Sequence, residues 1–382
     1  PQPATVSCEA ALTTALAADV TISEGTVVRT SDSSAVVFEV AQDYVIAAGN
    51  LTPRTTVVQI DATLVGVNVL ATFVTVTSDS VNIDLADSTI DLTQFVEAGQ
   101  SFQVDGETAV YTVESIESAP GAVSNNRLVL SSAYQGATAS GLAAEIFDQR
   151  IQLIAGQTVT DQFVSSAGER LAWSVKLSQT PVIDGSVQIT VNGEVWTRVD
   201  SMASAADDDT VFQVRTFASG STIVTFGDNR FGLAIPTEAT VDVVYRVGGG
   251  LNGNVNRNVF ATSISGLAAT TSSPVTVSIT NDTATGIGGR DAETLEEARI
   301  AIPYWTRTNN RAVTLDDYQT LASQYASPQY GSVAFARAAI RTENSLLEGN
   351  IVVVYAWTTG PSGSLVPLSA QLKLALKDYL QT

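Results

Sequence analysis

The sequence predicts a mixed, mainly β, multi-domain chain: antiparallel sandwich or barrel modules, one small β-barrel insertion, and a C-terminal α+β domain. Three observations predict it. Short β-branched runs with period-two alternation recur between Gly- and Ser-rich turns through roughly the first 280 residues. Helix-start signals cluster after residue 281. At 382 residues, 45% hydrophobic and only 15% charged, the chain is too long for one core and too apolar for a disordered tail.

Residues 1–77 read as an N-terminal helix followed by strands. Ser7 to Ala18 carries Ala10, Leu12, Leu16 and Ala17 and is expected to be a short helix. Strands follow from Val20, from Ala35 and from Tyr44, and Val57 to Val76 continues as extended chain. Residues 78–150 read as an inserted module. The stretches Val96 to Ile116, Arg127 to Leu130 and Tyr134 to Thr138 alternate around Asp105-Gly106, and a small barrel closes such strands without bare edges.

Residues 151–280 read as a β-rich central domain. Gly185 to Val199 is a hairpin whose Asn192-Gly193 pair supplies a type I′ turn, and Thr210 to Phe217, Thr222 to Gly227 and Ala239 to Val247 supply further strands. Trp173 and Trp196 are expected in its core. In residues 281–382 the order is helix, strand, strand, helix: strands at Val333 to Ile340 and Asn350 to Trp357, then an amphipathic helix from Pro367 to Leu380 with Leu368, Leu372, Ala375, Leu376 and Tyr379 near one face. Both helices are expected to cover one face of the strand pair.

The most informative stretch runs from Asn281 to Ala322. Gly286, Gly288 and Gly289 supply the positive φ values of a tight loop, and Asp291 is expected to cap a helix from about Ala292 into Ala301, favoured by Glu293, Glu296 and Glu297 at its positive end. Pro303 ends that helix. Thr314 opens a second one, with Asp317 completing a capping-box variant.

The spelling Gly288-Gly289-Arg-Asp291-x-Glu-Thr-x-Glu-Glu-x-Arg299, a Pro, then Asn310-Arg311-Ala-Val-Thr314-x-x-Asp317-Tyr318-x-x-Leu-Ala resembles the signature of the baseplate J-like proteins, wedge components of contractile phage tails and related injection machines. A second block agrees: Phe226-Gly227-Asp228-Asn229-Arg-Phe-Gly232 with Pro236, and Tyr245-Arg-Val-Gly-Gly249-Gly250-Leu-Asn-Gly253-Asn254-Val255, are similar to that family's patterns and stand in the same order. Asn229 replaces an expected Gly, and Asn tolerates the left-handed region. The resemblance covers residues 150–382 well and the earlier part loosely.

Composition excludes several functions. There is no His, so histidine-dependent acid/base and nucleophilic catalysis is excluded and the common Zn and Cu ligand sets are missing. The single Cys8 cannot form a disulfide within the chain and is expected to be a small core residue. A net charge of −20, with Lys176, Lys373 and Lys377 the only lysines, leaves no basic stripe for a nucleic-acid backbone. No eighteen-residue apolar span suggests a membrane helix; Leu64 to Val76 reads as a buried strand pair. A chain that begins at Pro1 without Met is expected to be part of something longer.

The remaining candidate sites have structural explanations. Gly248 to Asn254 lacks the Lys-Ser/Thr of a P-loop and reads as a connection where another backbone comes close. Asp207-Asp-Asp209 reads as a surface loop before it reads as a cation site. Asp291, Glu293, Glu296 and Glu297 serve a helix N-terminus better than a hydrolase. Arg299 and Arg311 make fork-like bonds to carboxylates and are expected to lock the loop between the helices or to meet a neighbouring subunit.

The resemblance implies a structural subunit without catalytic activity and without cofactor or metal. It implies other wedge and hub proteins as partners, self-association into dimers within a ring around the hub, and a place in the tail baseplate of a virion assembled in the host cytoplasm. Arg299, Asn310, Arg311, Thr314, Asp317 and Tyr318, with Gly227, Asp228, Gly249, Gly250, Gly253, Asn254, Gly288, Gly289 and Asp291, are its fold-signature or interface candidates. The alternative is a surface or fibre-like β-repeat adhesin that binds host glycans through the insertion, which leaves Gly286 to Ala322 unexplained.

Overall fold

The computed structural model describes residues 1–381 except 33–34, 61–68, 71, 123, 167–170, 218, 268–274, 300–301, 303–310 and 342–350. Strands dominate, as the alternation predicts, and two of the larger sheets curl nearly into barrels.

The first sheet joins segments far apart in sequence, in the order Ala261–Leu267, Val275–Thr280, Thr5–Leu12, Arg150–Ala155, Val37–Val40, Val27–Arg29. Its inner face buries Cys8, Phe38, Leu153, Phe260 and Val277, with Phe38 and Phe260 edge to face at 5.2 Å. The expected helix from Ser7 is a strand here. Val6, Cys8, Ala10 and Leu12 are all buried at period two, and both edges of Thr5–Leu12 are paired, Ser7 opposite Gln152 and Ala10 opposite Ile279. Two neighbouring strands hydrogen-bond this backbone, and that gain outweighs the spacing of Ala and Leu that suggested a helix. Cys8 is a buried free thiol, and burial pushes its pKa well up.

The second sheet has nine strands, from Ala139–Leu142 through Val74–Val76, Asn82–Leu85, Arg127–Leu130, Tyr111–Glu117, Ser101–Val104 and Ala144–Asp148 to Thr55–Ile60 and Val69–Leu70. It therefore takes in Thr55–Ile60 and Val74–Val76 besides the strands of residues 78–150. Its core packs Ile60, Val76, Phe102, Val113, Leu128, Tyr134 and Ile146. Of the expected Leu64 to Val76 strand pair, residues 64–68 and 71 lie outside the described residues.

The third sheet runs Gln157–Val164, Thr240–Val247, Gln188–Val191, Glu194–Arg198, Val211–Thr216, Thr222–Phe226, Ser174–Lys176. Asn192 and Gly193 take φ of 50° and 84° at the hairpin tip, both in the left-handed region a type I′ turn requires. Phe226 lies between the two tryptophans, stacked with Trp173 and edge-on to Trp196.

After residue 314 the chain forms helix Leu315–Gln324, strands Phe335–Arg341, Ile351–Thr359 and Leu365–Pro367 in one antiparallel sheet, and helix Ala370–Gln381. Ala322, Ala336, Leu368, Leu372 and Leu376 form the core between helices and sheet, so both helices cover one sheet face. No helix among the described residues is long and apolar enough to cross a membrane.

Candidate functional site

Segments 249–255 and 286–291 of the two signature blocks, more than thirty residues apart, meet at one place. Residues 286–291 run beside the N-terminal segment. Gln2 donates to the Arg290 carbonyl at 2.7 Å and Thr5 to that of Ile287 at 2.8 Å, with return bonds from Arg290 to Gln2 at 3.2 Å and from Ile287 to Thr5 at 2.9 Å. Residues 249–255 close the other side, where Gly250 donates to the Gln2 carbonyl and Gly286 to the Val255 carbonyl, each at 2.8 Å.

The glycines are there because the backbones leave no room. A Cβ on Gly286 would lie 2.5 Å from the Gly253 carbonyl oxygen, and one on Gly289 would lie 2.4 Å from that of Gly250. Gly253 is wedged between the Cβ atoms of Ala4 and Ala155, each 2.8 Å from where its own would be. Of the three loop glycines expected at positive φ, only Gly288 is found there, at 89°. Gly286 and Gly289 are selected by close approach instead.

Side chains complete the junction. Asn254 grips Gly289 at both ends: its Oδ1 accepts from the Gly289 N–H at 2.8 Å and its Nδ2 donates to the Gly289 carbonyl at 2.9 Å. Asn281 is fully buried and meets its whole bonding capacity, accepting from Val259 and Phe260 and donating to the carbonyls of Asn256 and Ala284. Asp291 does not cap a helix. Its Oδ1 accepts from the Leu251 N–H at 2.9 Å, which holds the Gly248–Gly250 bend against the loop.

The next helical turn, residues 295–299, starts later than the expected Ala292. Thr294 and Glu297 form its capping box: the Thr294 N–H donates to Glu297 Oε2 at 2.8 Å and the Glu297 N–H to Thr294 Oγ1 at 3.3 Å. The Thr-x-x-Glu spelling was legible in the sequence and is the stronger signal.

The C-terminal domain is fastened to the same loop. Ser332 donates to the Gly288 carbonyl from both its N–H and its hydroxyl at 2.9 Å, and Gly288 donates to the Thr359 carbonyl at 2.9 Å. Thr358 then donates to the Ser332 carbonyl at 2.6 Å. Ser332 and Thr358 are fully buried.

The other expected residues lie apart from this junction. Gly227 and Asp228 form a separate turn beside the third sheet. A Cβ on Gly227 would sit 2.1 Å from the Gly232 carbonyl oxygen, and Asp228 Oδ1 accepts from Arg230 and Phe231, bonds that hold its carboxyl below the usual range. Asn229 takes the left-handed φ of 66° that its place in the motif requires. Thr314 and Asp317 form the expected capping box, with Asp317 donating to Thr314 Oγ1 at 3.2 Å and Thr314 donating to Asp317 Oδ2 at 2.9 Å. Tyr318 is half-buried on that helix and Arg311 is exposed. Arg299 pairs with Glu296 of its own helical turn at 2.9 Å, and residues 303–310 of the loop it was expected to lock, with Pro303, lie outside the described residues. Asn310 lies outside the described residues. In the Asp207–Asp209 triplet, Asp209 accepts from the Ala206 N–H and closes a turn.

Sequence reasoning missed Glu39, Thr158 and Arg246, which join the first sheet to the third. Glu39 accepts from the N–H and hydroxyl of Thr158, both at 2.6 Å, and lies 3.5 Å from the Arg246 guanidinium. Arg246 also donates to the Ile154 carbonyl at 3.0 Å. Burial pulls the Arg246 pKa down, opposed by the charges of Glu39 and Glu24. The only sequence signal was that Arg246 sits inside the Tyr-Arg-x-Gly-Gly-Gly motif.

No family model matches the chain, and no curated protein matches it. Among solved structures, a chain of the type VI secretion system TssK-TssF-TssG baseplate subcomplex, determined by cryo-electron microscopy, is similar over 100% of this chain and 86% of its own length. The identity is 10% and the TM-score 0.33, a likeness too slight to carry an argument.

Proposed function

We propose that the chain is a structural, non-catalytic subunit of the baseplate wedge in a contractile tail, helping to form the ring around the central hub and to relay the contraction trigger. The observation that carries the reading is the junction itself. Two sequence blocks that resemble the baseplate J-like signature spend their glycines, Asn254 and Asp291 on cross-bonding the N-terminal segment, the Gly248–Val255 bend and the loop that holds the C-terminal domain.

Such a junction suits a mechanical part. Backbone packed on backbone has no side chain to yield, so a displacement of the C-terminal domain passes to the first sheet through Gly288 and Arg290. A ring relaying a trigger needs this stiffness between the surfaces at which its subunits meet.

The test is co-production of the tagged chain with the other wedge and hub proteins of its tail, followed by particle imaging. Ring-shaped particles containing the chain are expected, with lower yield or defective triggering for Arg311→Ala and Tyr318→Ala. Absence of the chain from the particles, or normal yield and triggering in both variants, would sink the reading. Glycan-array binding by the chain, without incorporation into particles, would replace it with an adhesin.

A further inference from the structure

The nine-stranded sheet joins the first sheet at a narrow root. Strand Ala144–Asp148 runs into Arg150–Ala155 across Gln149 alone, and Thr55–Ile60 starts beside it, with Asp148 opposite Thr55. Gln149 Nε2 donates to Thr52 Oγ1 at 2.9 Å, which ties the two crossings together. The barrel also reaches the C-terminal domain. The turn Leu92–Gln94 lies against helix Ala370–Gln381, and Glu97 Oε1 accepts from the Ala370 N–H.

That bond meets a need of the helix. Its first turn contains no acidic residue, in a chain with 39 of them, whereas Leu315–Gln324 brings Asp316 and Asp317 to its own. Ser369 Oγ accepts from the Leu372 N–H at 3.3 Å, and the Ala370 N–H is taken by Glu97. A residue 273 positions away thus supplies both an acceptor and the negative charge favoured at a helix N-terminus. The loop around Glu97 is shaped to deliver it. The Glu97 N–H donates to Oε1 of the buried Gln100 at 3.0 Å, and Gly99 takes φ of 89° where a Cβ would lie 3.2 Å from Arg150 Nη1. Arg150 is in turn held by Asp148 at 2.7 Å, so the loop rests on the root of the barrel.

We infer that Glu97 is a latch through which the inserted barrel and the final helix control each other's order. With the barrel seated, Glu97 caps the helix; displacement of the barrel about its root uncaps it. The coupling is reciprocal, so a partner or load that moves the barrel loosens the first turn of the helix, and fraying of that turn frees the barrel loop. Leu372 and Leu376 stay in the core, which confines the change to the first turn. The latch works within one copy of the chain and stands apart from the baseplate reading.

The experiment is hydrogen exchange read by mass spectrometry on the full 382-residue chain. Ala370→Pro deletes the donor with little harm to the helix, since Pro suits the first helical position. Glu97→Ala deletes the acceptor. Glu97→Ala is expected to speed exchange at residues 371–373 about tenfold, and Ala370→Pro to speed exchange of the Glu97 and Gly99 amides, which are bonded within the barrel, by a similar factor. The double variant should go no further than either single one, because both break the same bond. Glu97→Gln keeps the side-chain shape and removes only the charge, with an increase of about threefold expected at both places. Wild-type exchange at the barrel loop in Ala370→Pro, or at the helix start in both Glu97 variants, would overturn the inference. Faster exchange spread evenly over the chain would overturn it as well, since that reports general loss of stability and not a latch.

Discussion

Gly288 and Gly331 meet backbone to backbone. Both sit at positive φ, 89° and 90°, and a Cβ on Gly331 would lie 2.9 Å from the Gly288 Cα. The contact seats the loop of the signature against the start of the C-terminal sheet, where Ser332 bonds to the Gly288 carbonyl. Gly331→Ala therefore combines a strained backbone with a clash that neither chain can relieve. The expected loss is about 2–4 kcal/mol, against about 1 kcal/mol for Gly49→Ala, whose φ is 85° but whose Cβ would meet open space. Urea denaturation of both variants checks the difference, and equal losses would show that crowding at the junction contributes nothing.

Asn254→Ala leaves the N–H and carbonyl of Gly289 without their side-chain partner in a partly buried site. The cost is expected to be about 2–3 kcal/mol. Asn254→Asp keeps the acceptor for the Gly289 N–H but sets a carboxylate oxygen against the Gly289 carbonyl, so it should rescue little. Melting temperatures of the two variants decide whether both ends of the amide matter.

Glu39→Ala strips the Thr158 N–H and hydroxyl of their acceptor and leaves the guanidinium of Arg246 without its carboxylate. Arg246 Nε is already buried with no hydrogen-bond partner among the described residues. A loss of about 3 kcal/mol is expected. Adding Arg246→Met should recover part of it, because the buried charge is then gone. A double-mutant cycle in urea measures the coupling, and strict additivity would show that the two side chains act independently.

Asp161 gives the fold an acid-sensitive contact. Burial alone would raise its pKa, but the hydroxyl and N–H of Ser178 and the hydroxyl of Tyr245 donate to it and hold it below the usual carboxylate range. A depressed folded pKa means that its contribution is complete above the unfolded value of about 3.9 and is lost as pH falls through the folded one. Asp161→Asn should therefore lower stability near neutral pH and flatten the decline between about pH 5 and pH 2. Denaturation midpoints across that range test the sign; a variant with the wild-type slope would refute it.

Much of the architecture was legible because its signals are local. The Asn192-Gly193 hairpin, the Thr314 and Asp317 capping box, the left-handed Asn229 and the C-terminal helix all follow from residues within a few positions of one another. Where the signal was read with the wrong period or the wrong cap, a partner distant in sequence had taken over. Thr5–Leu12 is a strand because Arg150–Ala155 and Val275–Thr280 flank it, and Asp291 turns to Leu251 because that bend lies against it. Glu39 and Arg246 were invisible for the same reason, being about two hundred residues apart in sequence.

The sequence by itself determined a mainly β chain with an α+β end, the glycine positions, the absence of histidine and the two motif blocks. Only the tertiary structure decided what those blocks do for the fold. Gly286, Gly289 and Gly253 are needed for space and not for φ, and space is a property of neighbours that the chain meets only after folding. The same holds for the aromatic face of Phe335, Tyr355 and Trp357. Alternation announces that such a strand has two faces, but which of them the helices cover depends on the packing of Leu372 and Leu376.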